Sequence, residues 1–496
     1  MNTHPFPPPT LQQSAALEQL KQFVLNPAEE VFILKGYAGT GKTTLMAALM
    51  QWLTEDDTAI KKFNPQLCAT TGRAAKVLRD KTGYDAITVH SFIYSFKDIS
   101  QDIEKIEQNI LHPQFNPKTN QLLLMFELRP PALADERAQQ QIIIVDEASM
   151  LSDGEGNSDF AMFGTGRLLT DLMTYAQKSK LIFVGDDCQL PPVQQDFSPA
   201  LDAQYISSTF NRKVRGCELT DIVRQQKDHS VLKLSLPLRR YTTYPQPGNY
   251  AMLPAKQLSN IIMHRDTDAL IDDYITKLRK EGYLQTIMIT RSNNFNFHIS
   301  HYVRKQLGFK SQMPVIGDLL LVTQNNYLVP LVNGDFVEVT ATGQMKLQAN
   351  IPFMEIAVKG LHDGKHYNCL LALSPLTRIH PNLNTDEFRS LMIDFARRLR
   401  KKNISQKSPA FLDAMRTDPY LNSLRASYGY AVTCNKSQGG EWPHVYLHME
   451  TKIQGLGKPG IYRWWYTAIT RSSRQLHLSD DWFITVYDQA FDALGS

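Results

Sequence analysis

The sequence predicts an α/β protein built on parallel sheets with crossover helices, on three observations. Short apolar β-type runs alternate with helical stretches through both halves of the chain. One such run, at 31–35, leads straight into a glycine-rich loop and then a helical stretch. Another, at 141–145, ends in two adjacent carboxylates, Asp146 and Glu147. The clearest strands are expected at 31–35, 66–69, 141–145, 180–184, 286–289 and 445–448. Between 96 and 140 the pattern changes to a charged helix and then two apolar arms around the turn-forming string Asn116-Pro-Lys-Thr-Asn120, expected to be an inserted hairpin. From 314 to 373 the strands shorten and are punctuated by Gly317-Asp318, Asn333-Gly334-Asp335 and His362-Asp363-Gly364, which predicts a small β-barrel. From 384 to 423 the chain turns helical and basic, with five Arg or Lys among residues 397–402. The pattern holds no internal repeat.

With 496 residues the chain is long enough for about three domains or subdomains. A 43% hydrophobic content, with 26 glycines besides, is that of an ordinary globular protein and excludes a disordered or fibrous one. The formal net charge is only +4, so affinity for a polyanion must come from basic groups placed in a groove. The five cysteines form no Cys-x-x-Cys pair, and no histidine stands at zinc-ligand spacing from them, so neither a disulfide framework nor a structural zinc is expected. The first residues lack the basic and apolar regions of a signal peptide, and no apolar run approaches the length of a membrane span. The expectation is a soluble cytoplasmic protein without membrane partners.

Residues 36–43 read Gly-Tyr-Ala-Gly-Thr-Gly-Lys-Thr and fit G-x-x-x-x-G-K-[ST] between a strand and a helix. In that setting Gly36, Gly39, Thr40 and Gly41 let backbone N–H groups close around phosphate oxygens, with Thr44 continuing the helix N-terminus. Lys42 neutralises the β and γ phosphates, and Thr43 offers a hydroxyl to Mg²⁺. Asp146 and Glu147 stand at the C-terminal end of a buried strand, where ligands bind in open α/β sheets. Asp146 is expected to hold Mg²⁺ and Glu147 to polarise the attacking water. A third apolar run ends in Val184-Gly-Asp-Asp-Cys-Gln-Leu-Pro-Pro-Val193, which puts Gln189 within reach of a γ-phosphate.

Taken in order, these strings resemble the motifs of superfamily 1 helicases, specifically the RecD-like and Dda-like 5′-to-3′ subgroup, and the resemblance runs from Gln13 to Arg471. Thr10-Leu-Gln-Gln resembles the adenine-reading Q motif, with Gln13 the better-spaced candidate and Gln12 the alternative. Residues 70–76 resemble motif Ia and residues 86–91 the DNA-contacting motif that follows it. Residues 218–225 resemble motif IV, whose arginine is Arg224. Residues 317–327 and 333–335 resemble the SH3-like insertion of the subgroup. Residues 430–442 resemble motif V and residues 466–471 motif VI. The motif V position commonly occupied by histidine is Asn435 here, which bears on a DNA contact rather than on the ATPase.

The resemblance implies two RecA-like P-loop lobes. The first lobe is expected at 1–95 and 141–235, interrupted by the 96–140 hairpin. The second is expected at 236–313 and 424–496, interrupted at 314–423 by the SH3-like barrel and helical region. A motor must tie hydrolysis to the relative position of its lobes, so arginines associated with the second lobe should complete the site. Arg471 fits that role, and Arg224 lies just before the switch between lobes. Glu441 is a candidate acceptor from the ribose hydroxyl. Thr71, Arg73, His90, Lys436 and Ser437 are candidate contacts along a strand-tracking groove. Phe115 and Phe126 flank the expected hairpin and either stack on a base or pack on the inserted helix, packing being the favoured reading. The Arg397 to Lys402 run reads as a solvated helix face rather than a duplex contact.

The implied activity is an ATP- and Mg²⁺-dependent helicase that translocates on single-stranded DNA and opens forked or tailed duplexes. Repair, recombination or replication proteins are its expected partners, and a monomer is the favoured state. Two alternatives remain: a P-loop ATPase or phosphotransferase that does not unwind, and the motor subunit of a helicase–nuclease complex. In the second case the nuclease is expected on a separate chain, because little sequence flanks the first and last motifs.

Overall fold

The computed structural model describes residues 9–56, 62–109, 121–130, 140–156, 159–222, 230–326 and 328–491. The described residues of the first half carry nine strands: β1 (Val31–Gly36), β2 (Phe63–Ala69), β3 (Ala86–Thr88), β4 (Tyr94–Ile99), β5 (Leu124–Leu128), β6 (Gln140–Asp146), β7 (Ala161–Phe163), β8 (Lys180–Gly185) and β9 (Val214–Leu219). Six of them make one parallel sheet in the order β3-β2-β6-β8-β1-β9. Its central strands are apolar without alternation because both faces are covered: Ile142 and Ile144 pack under the helices Leu11–Leu25 and Lys42–Glu55, while Ile143 and Val145 pack on the opposite side with Leu169 and Leu172.

β4, β5 and β7 form a separate small sheet, with β4 antiparallel and β7 parallel to β5. The string Asn116 to Asn120 and Phe115 lie outside the described residues. The small sheet overruns both expected ends of the insertion: β4 begins at Tyr94, and β7, at 161–163, joins from past residue 140. Register pairing of Phe126 with Phe163 brings β7 in, and the two rings stack at 4.5 Å. Phe126 therefore packs.

The second half carries β10 (Leu253–Lys256), β11 (Ile261–His264), β12 (Thr286–Thr290), β13 (Leu319–Val322), β14 (Phe336–Gln348), β15 (Ile351–Gly360), β16 (His366–Ala372), β17 (Ala426–Tyr428), β18 (Val432–Thr433), β19 (Trp442–Leu447), β20 (Ser472–Ser479) and β21 (Ile484–Val486). A second parallel sheet runs β11-β20-β19-β12-β18. Its core continues into the helices Ser230–Thr243 and Gly460–Ile469.

Between these elements sits an antiparallel sheet, β16-β15-β14-β13-β17. The His362-Asp363-Gly364 string turns β15 into β16, with Gly364 at φ 66°. The longest hairpin, β14 to β15, turns instead at Ala349 and Asn350, both at positive φ.

Two boundaries differ from the expected ones. Residue 235 falls inside the helix Ser230–Thr243, whose Val231, Leu234 and Leu238 all pack into the second core, so the lobe switch precedes Ser230. β17, placed by sequence in the resumed second lobe, pairs with β13 and belongs to the antiparallel sheet. In both cases burial of side chains distant in sequence decides membership.

The basic helix Thr385–Arg400 docks on the helix Ile103–Asn109 of the first insertion. Ile99, Ile103, Ile106 and Leu122 share one core with Met392, Phe395 and Leu399. At its rim Arg397 meets Glu107 at 2.5 Å, and Arg400 meets Glu104 at 2.6 Å and Glu107 at 3.1 Å. These two arginines of the basic run thus join the two insertions rather than forming only a solvated face.

Candidate nucleotide site and interlobe cleft

β1 delivers the chain to the phosphate loop at Gly36, where a Cβ would stand 2.8 Å from Thr40 Oγ1. Gly39 and Gly41 take φ of 85° and 80°, a region closed to most side chains, and this lets the loop fold back onto the helix Lys42–Glu55. No side chain caps that helix, so its first N–H groups and its dipole face an incoming anion. Lys42 Nζ curls back to donate to Gly36 O at 2.6 Å and Tyr37 O at 3.0 Å. Thr43 and Thr44 open the helix, and Thr40 is buried.

Both glutamine candidates are engaged. Gln13 completes a capping box with Thr10 and donates from Nε2 to Thr40 O at 2.9 Å. Gln12 accepts through Oε1 from the backbone N–H groups of Thr220 and Asp221, tying the first helix to the segment after β9. Gln13 thus touches the phosphate loop and Gln12 the motif IV string. Arg224 itself lies outside the described residues.

β6 ends in Asp146, and Glu147 follows at φ 52°, ψ 38°. A left-handed glutamate costs on the order of 1 kcal/mol or more and persists where its surroundings over-determine it. Burial, reinforced by the Glu147 charge beside it, raises the Asp146 carboxyl above the ordinary range, while Lys42 opposes the rise. A carboxylate at the strand end and a threonine hydroxyl at the start of the loop helix are oxygen donors of the kind a hard divalent cation such as Mg²⁺ takes. Past β8, Asp186 is buried and also shifted upward by desolvation. Gln189 is 3% exposed; its Nε2 lies 3.5 Å from Asp186 Oδ2, and its Oε1 has no hydrogen-bond partner among the described residues.

The second lobe closes over this site through the helix Gly460–Ile469. Tyr466 donates its hydroxyl proton to Asp186 Oδ2 at 2.7 Å and accepts from the Ala38 N–H of the phosphate loop at 3.2 Å. Thr467 Oγ1 accepts from Leu190 N at 2.8 Å. The Arg239 guanidinium lies over the Tyr37 ring at 3.9 Å. Beside these contacts opens a 730 Å³ cleft lined by Tyr37, Asp187, Glu218, Arg239, Arg240 and Arg463 among others.

Arg471 is 6% exposed and donates to Thr467 O, Gly440 O and Thr470 Oγ1 at 3.0, 3.3 and 3.1 Å. These acceptors all come from motifs V and VI. No carboxylate pairs with it among the described residues.

The nucleic-acid candidates differ in their surroundings. Thr71 caps the helix Gly72–Thr82 by accepting from Ala74 N. Arg73 lies over Trp442 and Phe336 at 4.9 and 5.4 Å and donates to Gly334 O at 3.4 Å, and burial pulls its pKa down to about 10. The structure thus places Arg73 at a junction of first lobe, second lobe and antiparallel sheet. His90 packs against Phe163 and Tyr94 at 5.1 and 5.8 Å, its pKa lowered by burial. Ser437 is buried and donates to Cys434 O, while Lys436 and Asn435 are half-buried beside it and Glu441 is exposed.

Tyr466, Asp186, Tyr37 and Arg239 received no role from sequence. The first three lie inside motif strings, where an aromatic or a second acidic residue could have been weighed. Arg239 carries no local signal, because only packing of its helix on the second core brings it over the loop.

Comparison with known proteins follows the same outline. Residues 10–246 match a family described as an AAA domain, and residues 428–479 one described as a UvrD-like helicase C-terminal domain. The RecBCD enzyme subunit RecD of Buchnera aphidicola is 22% identical over 92% of this chain and 71% of that protein. The ATP-dependent RecD2 DNA helicase of Deinococcus radiodurans is 26% identical over 45% of this chain and 22% of that one. The Pif1 helicase structure from Candida albicans aligns over 98% of both chains with 15% identity and a TM-score of 0.49. With a phosphate loop and acidic strand end in one parallel-sheet lobe, and a motif VI helix from a second lobe bonded to that loop, the chain is a superfamily 1 helicase of the RecD-like group.

Proposed function

We propose that this ATP-dependent DNA helicase moves 5′ to 3′ on single-stranded DNA and displaces the complementary strand of a tailed or forked duplex. The observation that carries the reading is the Tyr466 bridge. It bonds the phosphate loop and the Asp186 segment of one lobe to the motif VI helix of the other, so a change in nucleotide state must move one lobe against the other. ATP and Mg²⁺ supply the phosphoryl chemistry, with Thr43 and Asp146 as the residues that would hold the cation. Lys42 leaves its backbone acceptors to meet the phosphates. Glu147 orients the attacking water, and Gln189, whose amide oxygen lacks a partner among the described residues, senses the γ-phosphate. Arg471 gives up backbone acceptors to stabilise developing charge.

The lobe bounds proposed here are those read from sequence, with two adjustments, a switch before Ser230 and an SH3-like barrel that includes β17. The 96–140 insertion is proposed as the strand-splitting element, and Thr71, His90 and Lys436 as groove residues. No helix among the described residues is long and apolar enough to cross a membrane. Similarity to a RecD subunit makes a multiprotein assembly a reasonable setting, with repair or recombination proteins as partners.

The test is unwinding of matched duplexes carrying 5′ or 3′ tails, in DNA and in RNA, alongside ATPase with and without single strands. Unwinding of 5′-tailed DNA with strand-stimulated hydrolysis is expected. Hydrolysis indifferent to any strand would favour a P-loop phosphotransferase instead.

A further inference from the structure

On the second lobe, away from the phosphate loop, β11, β20 and β19 present one face to the helix Thr267–Glu281. The parallel register sets Ile262 beside His477 and His477 beside Tyr446, so by the period of two His264, His477, Tyr446 and His444 all point to that face. The helix supplies Asp273 from above. His264 Nε2 stands 3.2 Å from His477 Nδ1, and Asp273 Oδ2 stands 3.5 Å from His477 Nδ1 and 3.9 Å from His264 Nε2.

We propose that His264, His477 and Asp273 form a binding site for a divalent transition-metal cation of the zinc class, pinning the helix Thr267–Glu281 to β11 and β20.

The triangle has the right size. Tetrahedral zinc with bonds of about 2.0–2.1 Å holds its ligand atoms roughly 3.3 Å apart, and the three edges here, 3.2, 3.5 and 3.9 Å, bracket that value. The donor set, two imidazoles and one carboxylate, is one that zinc accepts with solvent in the fourth position. Asp273 is the half-exposed member, which leaves an entry path from solvent.

The surroundings orient the ligands. The Tyr446 hydroxyl donates to Asp273 Oδ2 at 2.6 Å, and the Tyr446 ring stacks on His477 at 3.9 Å with planes 13° apart. These contacts fix the carboxylate and one imidazole much as outer-shell partners do in metal sites. Asp273 has no Lys or Arg ion-pair partner among the described residues, so its charge faces the two histidines. His477 is 3% exposed and its Nε2 has no hydrogen-bond partner among the described residues, so the ring does its polar work through Nδ1, the atom facing His264 and Asp273.

Chain spacing hides the cluster: its members lie at 264, 273 and 477, so a search for closely spaced ligands passes over it.

The experiment uses the full chain stripped with a chelator, titrated with Zn²⁺ against a chromogenic competitor in the presence of Mg²⁺ and ADP, and separately with Co²⁺ followed optically. One tight equivalent is expected, with a Co²⁺ visible spectrum of tetrahedral type and no thiolate charge-transfer band, because no cysteine belongs to the cluster. His264→Gln and Asp273→Asn, both at partly exposed positions, should each weaken Zn²⁺ at least tenfold without changing the far-ultraviolet circular dichroism. Three results overturn the proposal. The wild-type chain fails to bind one equivalent, or both variants bind as wild type does, or a thiolate band places the metal at the rival cluster of Asp186, Asp187 and Cys188. In the first two cases the histidines and Asp273 are only a hydrogen-bonded network.

Discussion

The Tyr466 hydroxyl donates to Asp186 Oδ2 at 2.7 Å while accepting from Ala38 N, so a single phenol joins the second lobe to two separate segments of the nucleotide site. Asp186 is almost fully buried, and burial with the Asp186 charge beside it pushes the Tyr466 phenol well above its usual range, so it stays a donor at every working pH. Tyr466→Phe leaves the carboxylate without that donor and should cost about 1–3 kcal/mol of stability, the usual penalty for an unpaired buried polar group. A lower urea midpoint and a several-fold smaller stimulation of ATPase by single-stranded DNA are expected, with little change in KM for ATP. Unchanged stimulation would mean that the bridge has no part in coupling the lobes.

Lys42→Ala should abolish strand-stimulated hydrolysis while leaving the fold intact. Among the described residues its ammonium bonds only the loop carbonyls of Gly36 and Tyr37. Glu147→Gln should bind ATP yet hydrolyse it slowly. Fluorescent-nucleotide binding measured beside turnover separates the two variants, and loss of binding in Glu147→Gln would reverse the roles given to Asp146 and Glu147.

Arg471→Ala is expected to lower turnover by roughly 10³-fold, the lower range for arginine fingers, with a smaller effect on ATP affinity. Because Arg471 also bonds Thr467 O and Gly440 O in the second-lobe core, its melting temperature must be followed in parallel. Equal losses in nucleotide affinity and turnover, together with a lowered melting temperature, would assign the residue a structural role.

Strand separation should depend on the first insertion and not on the hydrolysis chemistry. Leu122 sits in the core shared with the helix Thr385–Arg400, and β5 begins at Leu124, so a clean alteration must stop before them. Replacing residues 114–120 with a Gly-Ser linker should keep strand-stimulated ATPase within a few-fold of wild type and largely eliminate unwinding of a tailed duplex. Unwinding that survives would move the function to the basic helical region instead.

The Arg397 and Arg400 pairs with Glu107 and Glu104 offer a separate handle on the same coupling. They are partly exposed, so each is worth no more than about 1 kcal/mol. Reversing Arg397 to Glu should therefore leave the melting temperature nearly unchanged while raising the salt sensitivity of unwinding. A large loss of stability would show that the charge pairs, rather than the apolar core beneath them, hold the two insertions together.

Sequence alone determined the parts whose chemistry is local. The phosphate loop is legible because its turn demands glycine at Gly39 and Gly41 and its task demands Lys42 and Thr43 in consecutive positions. The acidic pair is legible because a doubly covered parallel strand must be apolar until it reaches the ligand edge, where Asp146 and Glu147 begin. The α/β class followed from the same continuous apolar strands. Tertiary structure alone decided what depends on distant burial. Arg239 reaches Tyr37 only because its helix packs on the second core, and Arg73 meets the flat faces of Trp442 and Phe336 from distant segments. The basic run at 397–402 could not announce its acidic partners on a helix nearly 300 residues earlier, and His264, Asp273 and His477 meet only through strand register. Side-chain chemistry is written residue by residue, whereas proximity between distant segments is set by which apolar faces the whole chain buries together.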